Sequence, residues 1–206
     1  IMTHGDDSGL VLPPSVAPIQ VVIIPVQQHK EGILDAAASL AKTLKDAGIR
    51  VKVDDSEQSP GWKFAEYEMK GVPLRIEIGP RDLAENKCVI VRRDNREKSF
   101  VSLDTVTDAV KTGLETLTKA LYQKALENRE RRTYTATTLD ELVKIAGEKS
   151  GYIRAMWCGD LACELKLKEV ADVSSRCMPF GEEPIGDKCV CCGREAHKLV
   201  YWGKAY

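Results

Sequence analysis

The sequence predicts an α/β fold, a sheet flanked by helices, followed by a smaller Cys-rich domain. Three observations predict it. Residues 19–26 carry a nearly unbroken β-branched run, Ile19-Gln20-Val21-Val22-Ile23-Ile24 closed by Pro25, which suits a strand buried on both faces. From Ile33 the apolar spacing becomes helical. Strand and helix patterns then alternate as far as Leu121, and beyond Gly151 the sequence is rich in cysteine, with glycine and proline turns.

Residues 1–18, with Gly5, Gly9, Pro13, Pro14 and Pro18, read as an irregular connector. Ile33, Ala37, Leu40, Ala41, Leu44 and Ala47 share one helical face, and Gly48 supplies the stop. Val51 and Val53 alternate with Lys52 and Asp54 as a second strand. A short helix is expected from about Phe64 to Lys70, ended by Gly71. Leu74, Ile76 and Ile78 then alternate with Arg75 and Glu77, a strand with one apolar and one polar face. Cys88–Val91 reads as a buried strand and Phe100-Val101 as another. Val106, Val110, Leu114, Leu117 and Leu121 mark a long helix, of which 124–132 is the charged, exposed end. Right-handed crossovers join such elements into a sheet covered by helices.

The second half differs. Thr138-x-x-Glu141 is a capping box ahead of Leu139, Leu142, Val143 and Ala146, with Gly147 as the expected stop. The composition shift places a domain boundary between about 128 and 137, giving domains over 19–128 and 129–206.

The chain has 206 residues, 43% apolar and 30% charged, an ordinary globular balance that excludes wholesale disorder. Thirty Lys and Arg against 31 Asp and Glu leave a net charge of −1, so bulk charge does not hold nucleic acid here. Any such contact must come from a local site. No apolar run approaches the roughly 20 residues of a membrane helix, and no membrane partner is expected. Ile1-Met2-Thr3-His4 lacks the charged start and apolar stretch of a secretory leader, and position 1 is not Met, so a piece of a longer protein is expected.

Seven cysteines are an odd number, and six of them crowd the last quarter. This fits a reduced, cytosolic compartment and a local metal site better than a disulfide scaffold. Cys158-x4-Cys163 and Cys189-x2-Cys192-Gly193 form two close pairs, as in a tetrahedral thiolate shell. Gly193 allows a tight turn in which backbone N–H groups face the sulfurs. Cys191 offers a C-x-C alternative to Cys192, and Cys177 is a spare. Four protein ligands leave no open position, so such a metal is structural. A redox use of Cys189 and Cys192 is weaker, because that chemistry needs the pair at a helix start.

On the α/β domain the informative stretch runs from Ser59 to Asp82. Phe64 and Glu68 share a helical face, and Arg75 and Glu77 share the polar face of the next strand. A ring beside a carboxylate and a guanidinium suits an unstacked base: the ring stacks, the carboxylate accepts from guanine N1–H and N2, and Arg donates to O6 and N7. The opposing reading is a core ring with a surface ion pair, and pattern alone weighs the two equally. His4, His29 and His197 have no nucleophile partner in sequence, and no P-loop, H-E-x-x-H, G-x-S-x-G or dinucleotide fingerprint is present. No catalytic residue is assigned. A non-catalytic interaction module stays open beside nucleic-acid binding.

At these residues the sequence resembles prolyl-tRNA synthetase of the archaeal and eukaryotic type, a class II enzyme, along the whole chain. The resemblance rests on His4-Gly5-Asp6-Asp7-Ser8-Gly9-Leu10-Val11-Leu12-Pro13-Pro14, on Ile19–Pro25, on Gly61-Trp62-Lys63-Phe64 with Gly71-Val72-Pro73-Leu74-Arg75, and on the paired cysteines with closing Tyr206. It implies an anticodon-binding α/β domain, a mixed sheet flanked by helices, and a small α+β zinc-binding domain at the C-terminus. It implies reading of the guanines shared by proline anticodons in tRNA(Pro), with Phe64, Glu68, Arg75 and Arg81 as contacts and Trp62 and Lys63 as supports. Zn2+ falls on Cys158, Cys163, Cys189 and Cys192. The terminal carboxylate of Tyr206 is expected near the active site of the full enzyme. That enzyme is implied to be a cytoplasmic homodimer whose catalytic core, using ATP and Mg2+, lies upstream of Ile1. The 206 residues are therefore expected not to activate proline alone.

Overall fold

The computed structural model describes residues 2–181 and 183–204, in two compact units that divide between Ala125 and Leu126. The first unit is built on a five-stranded mixed sheet. Its strands are β1 (Val21–Pro25), β2 (Val51–Val53), β3 (Leu74–Ile78), β4 (Lys87–Arg92) and β5 (Lys98–Ser102), in the order β2-β1-β3-β4-β5. β1 is parallel to β2 and β3, whereas β4 is antiparallel to both β3 and β5. Helices α1 (Ile33–Asp46) and α4 (Val106–Arg131) contribute their expected apolar residues to a core over one face. Val21 and Ile23 point into that core, while Val22 and Ile24 pack with Tyr67 and Val72 on the other face. This two-sided burial is why the β1 run lacks polar alternation.

Two local expectations need correction, and one short helix is added. Helix α2 spans Pro60–Met69, starting before Phe64, because the Ser59 hydroxyl accepts from the Trp62 N–H and Pro60 needs no N–H partner at the first turn. A short helix α3 (Pro80–Ala84) follows β3, closed by the Asp82 carboxylate accepting from the Gly79 N–H. The polar face of β3 is not solvated: Arg75 is only 9% exposed.

Residues 2–18 lack regular elements yet belong to the first unit. Leu10 and Leu12 donate to the carbonyls of Met69 and Gly71 at the end of α2, and Val11 and Ala17 are buried. Gly71, at φ +70°, sits so close to Leu10 that a Cβ there would lie 2.6 Å from the leucine side chain.

The second unit carries a four-stranded sheet ordered β6-β7-β9-β8, from β6 (Thr133–Thr135), β7 (Tyr152–Trp157), β8 (Val173–Cys177) and β9 (Lys198–Lys204). Helices α5 (Leu139–Glu148) and α6 (Leu161–Ala171) pack Leu142, Ala146 and Leu167 against Ile153, Ala155 and Trp202. The Thr138–Glu141 capping box starts α5. Gly147 lies inside α5 rather than ending it, and Lys149 leaves in extended backbone.

Candidate nucleic-acid interface and metal centre

Strand alternation turns Arg75 and Glu77 away from the main core and toward the face that carries α2. Phe64 and Glu68, one helical turn apart on α2, reach the same arginine. The Arg75 guanidinium carbon lies 4.1 Å from the Phe64 ring centroid. Its Nη1 is 3.1 Å from Glu68 Oε1, and its Nε and Nη2 are 3.0 and 2.9 Å from Glu77 Oε1. The structure thus brings Phe64, Glu68 and Arg75 into one contact, but ties the arginine to two carboxylates. The three contacts engage one N–H each on Nε, Nη1 and Nη2, so donation from Arg75 to a base falls to the second N–H of Nη1 or Nη2. Lys98 Nζ, 3.6 Å from Glu77 Oε2, supplies further positive charge.

The end of α2 is fixed from behind. Arg93, buried after β4, donates through Nε to the Glu68 carbonyl at 2.8 Å and grips the Asp6 carboxylate through Nη1 and Nη2 at 2.8 and 2.6 Å. The hydrogen bonds from Arg93 hold the Asp6 carboxyl far below the usual range.

The remaining candidates separate. Lys63 is 1% exposed, and its ammonium donates to the Asp54 carbonyl at 2.8 Å and to Gln28 Oε1 at 3.1 Å, with Asp54 Oδ1 at 3.7 Å. It braces the loop after β2 from inside. Burial works against the Asp54 carboxylate, yet hydrogen bonds from Ser56 and the charge of Lys63 outweigh it and keep its pKa below the ordinary value. Trp62 is exposed at the start of α2, and Arg81 is exposed in α3, past the C-terminal end of β3. Tyr206 lies outside the described residues. Reading by motif missed Phe100, which stands exposed in β5. Its only signal was its place in the alternation Lys98, Phe100, Ser102.

In the second unit, Cys158 follows β7 and Cys163 lies in the first turn of α6, which the Asp160 carboxylate caps. Cys189 and Cys192 lie on a turn between the paired residues Lys188 and Glu195. Gly193, at φ +70°, lets its N–H return to the Cys189 carbonyl at 2.9 Å. The four thiol sulfurs all lie within 4.8 Å of one another. Cys158 is 3.7 Å from Cys163 and 3.9 Å from Cys192. A tetrahedral ion with Zn–S bonds of roughly 2.3 Å needs sulfurs about 3.8 Å apart, so this donor set fits a metal ion. Cys192, not Cys191, completes the set; Cys191 packs against apolar residues.

Sequence reasoning also missed Arg194. Its Nε donates to Cys192 Sγ at 3.3 Å, and its Nη2 lies 3.9 Å from Cys158 Sγ and 2.5 Å from Asp160 Oδ2. These hydrogen bonds draw the Cys192 thiol down to about 6. A guanidinium so placed offsets the negative charge of a four-thiolate site.

Comparison with known proteins agrees with this division. Residues 20–113 match the family model described as "Anticodon binding domain", and residues 139–206 match "Prolyl-tRNA synthetase, C-terminal". All 206 residues align with a protein named "Proline--tRNA ligase" from Clostridium novyi (strain NT) at 59% identity, covering 43% of that protein. The chain carries the C-terminal domain of the prolyl-tRNA synthetase family. Another relative, named "Proline--tRNA ligase" in Lachnospira eligens, is 57% identical, and a "Proline--tRNA ligase 2" of Bacillus cereus is 55% identical. Each match covers the whole chain and 43% of the relative. The chain carries this family's anticodon-binding and C-terminal domains and spans less than half the length of those synthetases. Among the described residues no helix is long and apolar enough to cross a membrane.

Proposed function

We propose that this chain is the tRNA-reading portion of a proline--tRNA ligase and recognises the guanines of the proline anticodon. The observation that carries the reading is the Phe64–Arg75–Glu68 contact on a domain of anticodon-binding type. Arg75 reaches Glu68 at Oε1 alone, leaving Glu68 Oε2 with no partner among the described residues. Held at one oxygen, that carboxylate presents the other to the adjacent N1–H and N2 donors of guanine, where adenine has an acceptor at N1 and no amino group beside it. The exposed part of the Phe64 ring stacks the unpaired base. Arg75 acts first as a positioning residue for Glu68, and Lys63 and Trp62 support α2. Arg81 and Lys98 meet phosphates.

ATP- and Mg2+-dependent attachment of proline belongs to the part of the relatives' length outside these 206 residues, which also supplies the surface of a homodimer. Cys158, Cys163, Cys189 and Cys192 would hold Zn2+, which cross-links β7, α6 and the 189–194 turn. With four protein ligands, it takes no part in the chemistry. The four thiols belong to a reducing, cytoplasmic setting. With a net charge of −1 the fragment neutralises few phosphates at once, and its affinity for tRNA is modest. The test is binding of this chain to a tRNA(Pro) transcript and to the same transcript with a non-proline anticodon, at fixed low salt. Tighter binding of the first supports the reading, and equal binding contradicts it.

A further inference from the structure

On the sheet face that carries Arg75 and Glu77, the register continues outward to the edge. Glu77 pairs with Val89, and Val89 pairs with Phe100; Arg75 pairs with Val91, and Val91 with Lys98. Directly paired residues share a face, so two rows lead from the proposed guanine site to β5. β5 is the edge of the sheet. Val89 and Val91 are buried, but Phe100 is 74% exposed. The Lys98 side chain is 55% exposed, and its ammonium leans toward Glu77.

The outward row of β5 is thus Lys98, Phe100 and Ser102: one ring between a cation and a hydroxyl. That is too little apolar area for a protein partner, which typically buries about 800 Å² on each side. It suits a single nucleobase, whose π-face stacks on the ring while a phosphate meets the lysine.

Resting on the anticodon reading above, the geometry points to Phe100 as a second stacking platform. It takes an unpaired nucleotide of the same loop, outside the two guanines, without regard to base identity. Phe64 and Glu68 discriminate, and Phe100 lengthens the bound stretch of RNA. The exposed ring supports no core, so its removal leaves the fold unchanged.

The test titrates Phe100→Ala and Phe100→Trp chains, beside the unaltered one, with a hairpin RNA bearing the proline anticodon and with the same hairpin carrying adenine for both guanines. Phe100→Ala is expected to weaken both complexes by the same factor, on the order of tenfold. Phe100→Trp is expected to retain the affinity, and all three proteins to melt alike. In a parallel series 2-aminopurine replaces each other unpaired nucleotide in turn; one position should be quenched by the unaltered and Trp chains but not by the Ala chain. Unchanged affinity of Phe100→Ala overturns the platform and leaves guanine reading intact. A loss confined to the guanine hairpin also overturns it, because the contact would then be base-specific. If the unaltered chain binds both hairpins equally and Phe100→Ala still weakens both, guanine reading fails and the platform stands. Absence of hairpin binding overturns both.

Discussion

Phe64 and Arg75 form a stacked pair, with the guanidinium carbon 4.1 Å from the ring centroid and the cation held at its edges by Glu68 and Glu77. The pair joins α2 to β3 and sets where the Glu68 carboxylate stands. Glu68→Gln keeps the shape but replaces one acceptor oxygen with a donor. It is expected to lower the guanine-over-adenine preference by about 1–3 kcal/mol with little change in melting temperature. Arg75→Lys keeps the charge but loses the fork that grips two carboxylates, and should lower both preference and stability. Hairpin titrations with parallel thermal melts check both.

Lys63 is a stability residue. Its ammonium is enclosed between Gln28 and Asp54, so Lys63→Ala leaves a buried carboxylate without its cation. Breaking a buried pair in this way costs about 3–5 kcal/mol. Urea unfolding measures the loss. Below the unfolding transition the ratio of guanine to adenine affinity should not move, because the lysine lies beneath the surface.

Much of this architecture is legible from periodicity, and the failures have definite causes. The β1 run and the α1 and α4 faces are readable because burial there follows one period per element. β3 misleads on one face: period-2 alternation assigns Arg75 and Glu77 to solvent, but Phe64 and Glu68 of α2 cover Arg75, and Glu77 pairs with it. α2 begins early because Ser59-Pro60 is a start signal that the Phe64–Lys70 apolar pattern conceals. Gly147 resembles a stop, although no positive φ is required there. The two cysteine pairs are legible from spacing, which already favours Cys192 through C-x2-C, and the turn brings its sulfur beside the other three. Arg194 and Phe100 escape because neither residue type is unusual on a surface. Only the nearby sulfurs, or the open sheet face, give them meaning.

The cysteine site should hold one metal ion per chain, and its removal by a chelator should unfold the second unit, since binding to such a site is coupled to folding. Circular dichroism of the chelated protein checks this. Cys192→Ser should lose the ion and Cys191→Ser should keep it. Arg194→Ala removes the donor facing Cys192 and Cys158, and is expected to release the ion faster to a chromophoric chelator than Arg194→Lys does.

Cys88 makes the fold sensitive to alkali. Burial against the main core, helped by the charge of Asp82, pushes its thiol from 9.0 to about 11. The unfolded chain ionises this group first, so the stabilisation is full below pH 9 and lost as the pH rises toward 11. Tyr67, raised to about 12 by burial and by Asp54, extends the loss upward. Cys88→Val should flatten the fall of urea midpoint between pH 9 and 11.

The most direct measurement is a fluorescence titration of the 206-residue chain with the proline-anticodon hairpin and its adenine-substituted counterpart, repeated with Glu68→Gln. The account predicts a clear preference for the guanine hairpin that Glu68→Gln removes. Equal affinity for the two hairpins, or a preference that survives in Glu68→Gln, would contradict it.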